Sequence, residues 1–118
     1  MSKTAIVILT DTETHESLGR VSNAFEFAKE LADQNQEVAI IFDGAGTKWI
    51  PALEDENHDM HPLYKAVRTH IDGACKFCSK AFGVINEVRK SDISLLDDYD
   101  GHPSLANYVS QGYQVVTF

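Results

Sequence analysis

Two short apolar runs, separated by one amphipathic stretch, constrain the fold of this chain more than any other feature. The runs Thr4–Thr10 and Glu37–Asp43 are rich in aliphatic residues, which is typical of central strands covered on both faces. Between them, apolar side chains recur at helical spacing, at Leu18, Val21, Phe25, Ala28, Leu31 and Ala32. A strand, a helix of about five turns and a second strand make a βαβ unit, whose strands run parallel and whose crossover is right-handed.

The rest of the chain continues the alternation of helices and strands. We predict a short helix around Trp49–Leu53, a helix begun by Pro62, a strand at Ile71–Cys75, a helix from Cys78 to Lys90, a strand at Ile93–Leu96, a helix from Pro103 to Ser110 and a strand at Tyr113–Phe118. Five strands that alternate with helices predict an α/β fold. We expect a three-layer α/β/α sandwich, doubly wound and flavodoxin-like, with a mostly parallel five-stranded sheet.

Length and charge narrow the classes of partner. The 118 residues are enough for one domain, expected to span residues 1–118, and the net charge of −8 disfavours nucleic acid, which needs clustered Lys and Arg. No apolar run approaches the ~20 residues that span a bilayer, so we expect no membrane partner. The first apolar run is followed at once by Thr10 and Asp11, unlike a signal peptide. We therefore expect a cytoplasmic protein without a structural disulfide.

The candidate site follows from a rule about open α/β sheets, in which ligands bind beyond the carboxyl ends of the strands. The polar and reactive residues that follow the predicted strands are Thr10, Asp11 and Thr12, then Asp43 to Gly46, then Cys75 and Cys78, then Asp97, Tyr99, Gly101 and His102. Both cysteines and one of the five histidines are among them. We take Cys75, Cys78 and His102 as the candidate catalytic residues.

Cys75 and Cys78 have the spacing C-x-x-C at a strand-to-helix junction. Amide groups at a helix N-terminus favour an anion, and Lys76 and Lys80 add positive charge. We therefore expect an exposed Cys75 thiol with a pKa below the usual ~8.5. A thiolate attacks disulfides and persulfides, and a second thiol can resolve the adduct. The alternative is that both cysteines are small core residues, and that His102 only helps to cap the last helix.

Two further binding hypotheses have weaker support. His58-x-x-His61 and Cys75-x-x-Cys78 together supply four ligands of the kinds that zinc takes, but the histidines lie in an acidic loop and the cysteines come second in the order. Gly44-Ala-Gly46 follows a strand but lacks the spacing of a nucleotide-binding loop, so a tight turn fits it better. We therefore predict neither a resident metal nor a cofactor.

The segment Gly73-Ala-Cys-Lys-Phe-Cys-Ser-Lys-Ala-Phe-Gly83 resembles the DsrE/DsrF-like family. The resemblance covers nearly the whole chain and includes the opening strand and helix, Ile41–Gly44, Gly101–Ser104 and Gly112–Phe118. It is most specific in a cysteine at the strand-to-helix turn, eight residues before a glycine. It implies a three-layer α/β/α fold and assembly into trimers or hexamers.

The resemblance also implies a function. Some members of the family accept persulfide sulfur on this cysteine and pass it along a relay in sulfur oxidation or transfer-RNA thiolation. Cys75 would then be the acceptor in a sulfurtransferase-like carrier that works with sulfur donor and acceptor proteins. Cys78 is an extra thiol that only a subset of the family has. Our own hypothesis is that it releases the sulfur as sulfide by forming a disulfide with Cys75, or stabilises the adduct.

The main alternative is a non-catalytic oligomer that binds a small molecule or a partner, in which the cysteines merely line a pocket. A zinc-binding protein is the other. From the sequence, Trp49, Tyr64 and Phe77 are candidate subunit contacts, and Trp49 and Tyr64 fit a core position equally well.

Overall fold

One five-stranded sheet organises the protein, and the computed structural model describes it over residues 2–118. The strands are Lys3–Ile8 (β1), Glu37–Phe42 (β2), Ile71–Cys75 (β3), Leu95–Leu96 (β4) and Tyr113–Thr117 (β5). Their order is β4-β3-β2-β1-β5, and every pairing is parallel. The α/β fold class is confirmed, and the sheet is fully rather than mostly parallel.

In residues 2–118, six α-helices flank the sheet: His15–Asp33 (α1), Trp49–Glu54 (α2), His61–Val67 (α3), Lys76–Ala81 (α4), Ile85–Lys90 (α5) and Leu105–Ser110 (α6). Short 3-10 helices span Gly44–Lys48 and Arg68–His70. The side chain of Thr14 caps α1 by accepting a hydrogen bond from the Ser17 amide at 3.0 Å. Among the described residues, none of these helices has both the length and the apolar character needed to cross a membrane.

Alternate residues of the central strands belong to two hydrophobic cores of unequal size. Ile6 and Ile8 of β1 join the larger core, whereas Ala5 and Val7 join the smaller one, as the twofold alternation of a strand requires. The larger core is closed by buried side chains of α1, α2, α3 and α5, which include Val21, Phe25, Ile50, Leu53, Tyr64, Val67 and Val88. The smaller core is covered by Leu105 and Tyr108 of α6.

The main differences from the sequence prediction concern three elements. The helix predicted from Cys78 to Lys90 is instead two helices, α4 and α5, because Gly83 has a φ of +73°, a left-handed conformation that ends α4. The last helix begins at Leu105 with Ser104 as its N-cap, so Pro103 precedes it instead of opening it. The fourth strand is reduced to Leu95–Leu96.

Two of the three candidate subunit contacts occupy the core position that the sequence equally allowed. Trp49 is 2% exposed and Tyr64 is 1% exposed. The Trp49 indole donates a hydrogen bond to the Thr10 carbonyl at 2.9 Å, and the Tyr64 hydroxyl donates to Glu54. Each polar group therefore has a partner inside the subunit.

A close backbone contact fixes the turn that follows β2. A Cβ atom on Gly46 would lie 2.0 Å from the carbonyl oxygen of Ile8, far inside contact distance. The same oxygen accepts a hydrogen bond from the Asp43 amide at 2.9 Å. The absence of a side chain at residue 46 therefore lets the 3-10 helix rest on the end of β1.

We predict that Gly46→Ala destabilises the protein by about 1–3 kcal/mol, because the new methyl group must displace main chain and not a flexible side chain. Gly19→Ala is the matched control: it lies on α1 with no atom within 4 Å of the new Cβ, and should stabilise the helix by about 0.5–1 kcal/mol. Urea unfolding of both variants measures the difference. Equal effects would contradict the steric argument.

Candidate functional site

The parallel register brings the carboxyl ends of two neighbouring strands together. Phe42 of β2 pairs with Ala74 of β3, so Asp43 and Cys75 follow side by side. The Asp43 carboxylate is fixed there because its Oδ1 accepts a hydrogen bond from the Gly44 amide at 2.8 Å. A carboxylate and a thiol are thus placed at the same edge of the sheet.

Cys75 is the last residue of β3 and also the N-cap of α4. Its Sγ accepts a hydrogen bond from the Cys78 amide at 3.3 Å, so the predicted contact between this sulfur and a helix N-terminus is present. Cys78 lies in the first turn of α4, and its thiol donates to Asp43 Oδ1 at 3.5 Å. The C-x-x-C spacing therefore places both sulfurs on the same side of the junction.

A tight turn brings in His102. Tyr99 and His102 exchange two main-chain hydrogen bonds, at 2.8 and 2.9 Å, across Asp100 and Gly101. Both central residues have positive φ, +51° and +84°, which is the pattern of a type I′ turn and matches the Asp-Gly sequence. The Gly101 carbonyl also accepts from the Phe77 amide at 2.9 Å, which ties the turn to α4.

The turn directs the imidazole of His102 at the sulfur of Cys75. His102 Nδ1 lies 3.2 Å from Cys75 Sγ, and the ring packs on Phe77 with 4.8 Å between ring centroids. One ligand-type atom from each of Asp43, Cys75, Cys78 and His102 lies within 4.8 Å of the others. The three candidate catalytic residues, Cys75, Cys78 and His102, therefore lie together with Asp43. We call these four residues the rim cluster.

Asp43 is the member of the rim cluster that sequence reasoning passed over as a site residue. It was recognised only as one of the residues that follow β2. The signal that identifies it is the adjacency of β2 and β3, which sets the side chains after these strands next to each other.

The expectation of an exposed and acidic thiol at Cys75 is wrong. Its side chain has 0% exposure, and burial raises the pKa of this thiol to about 12, against the lowering effect of the Cys78 amide. The interaction with the Cys78 side chain and the negative charge of the Asp43 carboxylate raise this pKa further. Cys78 is half-buried and is the more accessible of the two sulfurs.

The nearby positive charges do not reverse this effect. The Lys76 ammonium lies 3.5 Å from the Asp97 carboxylate, so a carboxylate offsets its charge. Residues after β1 take part in a separate interaction, because the Lys48 ammonium lies 2.9 Å from Asp11 and lowers the pKa of that carboxyl. Within residues 2–118, Asp11 is therefore not part of the rim cluster, and the Thr10 carbonyl instead accepts the hydrogen bond of the Trp49 indole.

The zinc hypothesis built on His58 and His61 is wrong in its ligands. His58 Nδ1 accepts a hydrogen bond from the Met60 amide at 3.0 Å, and His61 Nδ1 lies 2.6 Å from the Leu53 carbonyl oxygen. In residues 2–118, these two rings do not gather with the cysteines. The histidine that does is His102.

We predict that an alkylating reagent modifies Cys78 before Cys75 in reduced, chelator-treated protein. Only thiolate reacts, so the rate at Cys75 should rise as the pH increases from 7 towards about 12, the raised pKa of this thiol. Mass spectrometry of iodoacetamide-treated Cys75→Ser and Cys78→Ser isolates each sulfur. Protein unfolded in urea is the control, in which both should react alike; faster labelling of Cys75 in the folded protein would contradict the observed burial.

Comparisons with known proteins agree with this architecture. The chain is 33% identical over 90 residues to the uncharacterized protein MJ0733 of Methanocaldococcus jannaschii, an alignment that covers 76% of this chain and 73% of that one. The fold is similar to that of BT1422 from Bacteroides thetaiotaomicron, a conserved protein of unknown function, with a TM-score of 0.65, 17% identity, and coverage of 97% and 94% of the two chains. The sequence model of the DsrE/DsrF-like family matches residues 4–118, and the chain therefore belongs to the DsrE/DsrF-like family.

Proposed function

We propose that this protein is a cytoplasmic carrier of sulfane sulfur, with Cys75 and Cys78 as the carrying pair. Membership of the DsrE/DsrF-like family supports a role of the sulfur-relay type. The observation that carries the proposal is the placement of His102 Nδ1 3.2 Å from Cys75 Sγ, beside a second thiol. A thiol, a base and a second thiol are the groups that persulfide transfer requires.

The difference in exposure assigns the order of the two sulfurs. Cys78 is half-buried whereas Cys75 has no exposure, so a donor persulfide meets Cys78 first. The thiol of Cys78 attacks the outer sulfur of the donor R–S–SH. The products are Cys78–S–SH and the donor thiol R–SH, and no net oxidation occurs.

The sulfur then passes inward to Cys75. His102 Nδ1 takes the proton of the Cys75 thiol as its sulfur attacks the outer sulfur of Cys78–S–SH. The Cys78 sulfur leaves and is protonated, which gives Cys75–S–SH and Cys78–SH. Burial keeps the Cys75 thiol neutral, so it needs a neighbouring base such as His102 to remove its proton during the attack.

The position of Cys75 suits storage. The Cys78 amide donates a hydrogen bond to Cys75 Sγ, and the surrounding residues exclude water from it. Reversal of the two transfers delivers the sulfur to an acceptor thiol, with R′–SH converted to R′–S–SH. The protein then acts as a sulfurtransferase-like component of a relay with donor and acceptor proteins.

We predict that reduced wild-type protein incubated with a small-molecule persulfide gains the mass of one sulfur atom, about 32 Da, on the peptide that holds both cysteines. Cys78→Ser should load at least about 10-fold more slowly, because it lacks the exposed acceptor. Cys75→Ser should load on Cys78 but lose the sulfur rapidly to a small thiol. Mass spectrometry in a chelator-containing buffer measures all three.

A variant of His102 distinguishes the transfer of sulfur to Cys75 from the loading of Cys78. His102→Asn should leave loading at Cys78 intact and slow the transfer to Cys75 by about 100-fold or more, the low end of what a general base contributes. His15→Asn, an exposed position on α1, is the matched control and should behave as wild type. Absence of any sulfur on either cysteine of the wild-type protein would end the carrier proposal.

A second candidate function rests on the burial of Cys75, which fits a non-catalytic binding oligomer. A surface cavity of about 310 Å³ lies apart from the cysteines and is lined by Glu54, Glu56, His61, Tyr64, Lys65 and Arg68. In that case the variant with both cysteines replaced by serine would keep ligand binding and assembly. Sulfur loading of the wild-type protein that is absent from this variant favours the carrier instead.

The proposal also includes self-association of the chain. Large apolar side chains are exposed at the edge of the sheet that holds the rim cluster: Phe77 is 57% exposed, Tyr99 68% and Leu9 45%. Such surface is typical of a contact between subunits. We propose that copies of the chain assemble there as trimers or hexamers.

We predict a trimeric or hexameric mass for the wild-type protein in native mass spectrometry. Phe77→Glu should shift it to smaller species, because a charge in an apolar contact is costly. Val109→Glu is the matched control, since Val109 is 61% exposed on α6 and lies away from this edge. A monomeric wild-type protein would contradict the proposed assembly.

A further inference from the structure

We propose that the rim cluster binds one zinc ion, with Cys75 Sγ, Cys78 Sγ, His102 Nδ1 and a carboxylate oxygen of Asp43 as the four ligands. This site uses residues from three separate segments of the chain. It goes beyond sulfur carriage and concerns the sulfur-free protein, because the ion takes the same two sulfurs that the proposed carrier uses.

The distances fit a tetrahedral ion. Zinc lies about 2.3 Å from sulfur and 2.0–2.2 Å from nitrogen or oxygen, which separates tetrahedral ligand atoms by roughly 3.3–3.8 Å. The structure has 3.2 Å between Cys75 Sγ and His102 Nδ1, and 3.5 Å between Cys78 Sγ and Asp43 Oδ1. All four atoms lie within 4.8 Å of one another, so contraction by about 1 Å completes the coordination shell.

The donor types select the metal. Two sulfurs, one imidazole nitrogen and one carboxylate oxygen form a soft to borderline set, which suits zinc and disfavours magnesium and calcium, whose ligands are oxygens. With four protein ligands the shell is closed, as in structural zinc sites and unlike catalytic sites that keep a position for water. We therefore assign the ion a structural role.

Main-chain hydrogen bonds position three of the four ligand residues before any ion binds. The Gly44 amide orients the carboxylate of Asp43, and the Cys78 amide orients the sulfur of Cys75. His102 belongs to the turn closed by two main-chain hydrogen bonds with Tyr99. Fixed ligands reduce the entropy lost on coordination, and outer-shell hydrogen bonds of this kind strengthen metal sites.

Zinc binding releases protons from the thiol ligands and changes no oxidation state. Zinc binding converts two thiols to thiolates and releases their two protons to solvent. The hydrogen bond from the Cys78 thiol to Asp43 is replaced by bonds from both groups to the ion. Two thiolates and one carboxylate against a divalent ion leave a single negative charge.

The test is titration of reduced, metal-free protein with cobalt(II) as a spectroscopic probe, followed by zinc, without any persulfide present. We expect one cobalt per chain, intense tetrahedral absorption and thiolate-to-cobalt charge transfer, all abolished by stoichiometric zinc. Cys75→Ser and Cys78→Ser should remove the charge transfer in part or whole. Asp43→Ala and His102→Ala should weaken zinc binding beyond the roughly 10–100-fold typical of outer-shell partners.

His58→Ala is the matched control, because it tests the other histidine pair and should leave zinc affinity unchanged. Circular dichroism of each variant separates loss of ligation from loss of fold. Cobalt bound without charge transfer, or a loss of affinity in His58→Ala that exceeds the loss in Asp43→Ala, would overturn the assignment. Sulfur loading is measured in chelator and metal binding without sulfur, so failure of one proposal is distinguishable from failure of the other.

Discussion

The parallel register of β2 against β3 is the constraint on which the rim cluster depends. It sets Asp43 beside Cys75, and the Cys78 amide and thiol then complete the contacts of both side chains. A shift of one residue in a strand reverses the face of every side chain in it. The pairing that fixes the hydrophobic core therefore also fixes the chemistry at its edge.

Burial and reactivity are opposed at Cys75. A sulfur with no exposure and a pKa raised to about 12 is a poor nucleophile by itself, although the Cys78 amide contact favours the anion. The imidazole of His102 and a metal ion are two ways to remove the proton. They use the same sulfur, so an ion in the rim cluster would block sulfur loading and persulfide formation would weaken ion binding.

Much of the fold could be predicted from periodicity. The strand Ile71–Cys75 has the bounds that the sequence predicts, although Asp72 and Gly73 make its apolar pattern weak. The break at Gly83 was missed, since a glycine inside an apolar pattern is compatible with one continuous helix until its φ is known. The sequence also placed Cys75, Cys78 and His102 at one edge, through the rule for open sheets.

Solvent exposure could not be predicted in the same way. The burial of Cys75 depends on Gly101 and His102, whose carbonyl oxygen and imidazole lie against its sulfur from a turn more than 20 residues away in the chain. The role of Asp43 depended on the order of strands, which pattern alone does not give. Contacts of this range are set by tertiary packing and carry no local signal.

The two outermost strands of the sheet differ in length, with consequences for how copies of the chain meet. β4 has two residues and offers few free main-chain groups, whereas β5 has five. Short border strands resist intermolecular strand addition. Intermolecular strand addition would therefore occur at β5. This strand is at the opposite edge of the sheet from β4, and β1 and β2 separate it from β3, which carries Cys75. Such an assembly would leave access to the sulfur atoms unchanged.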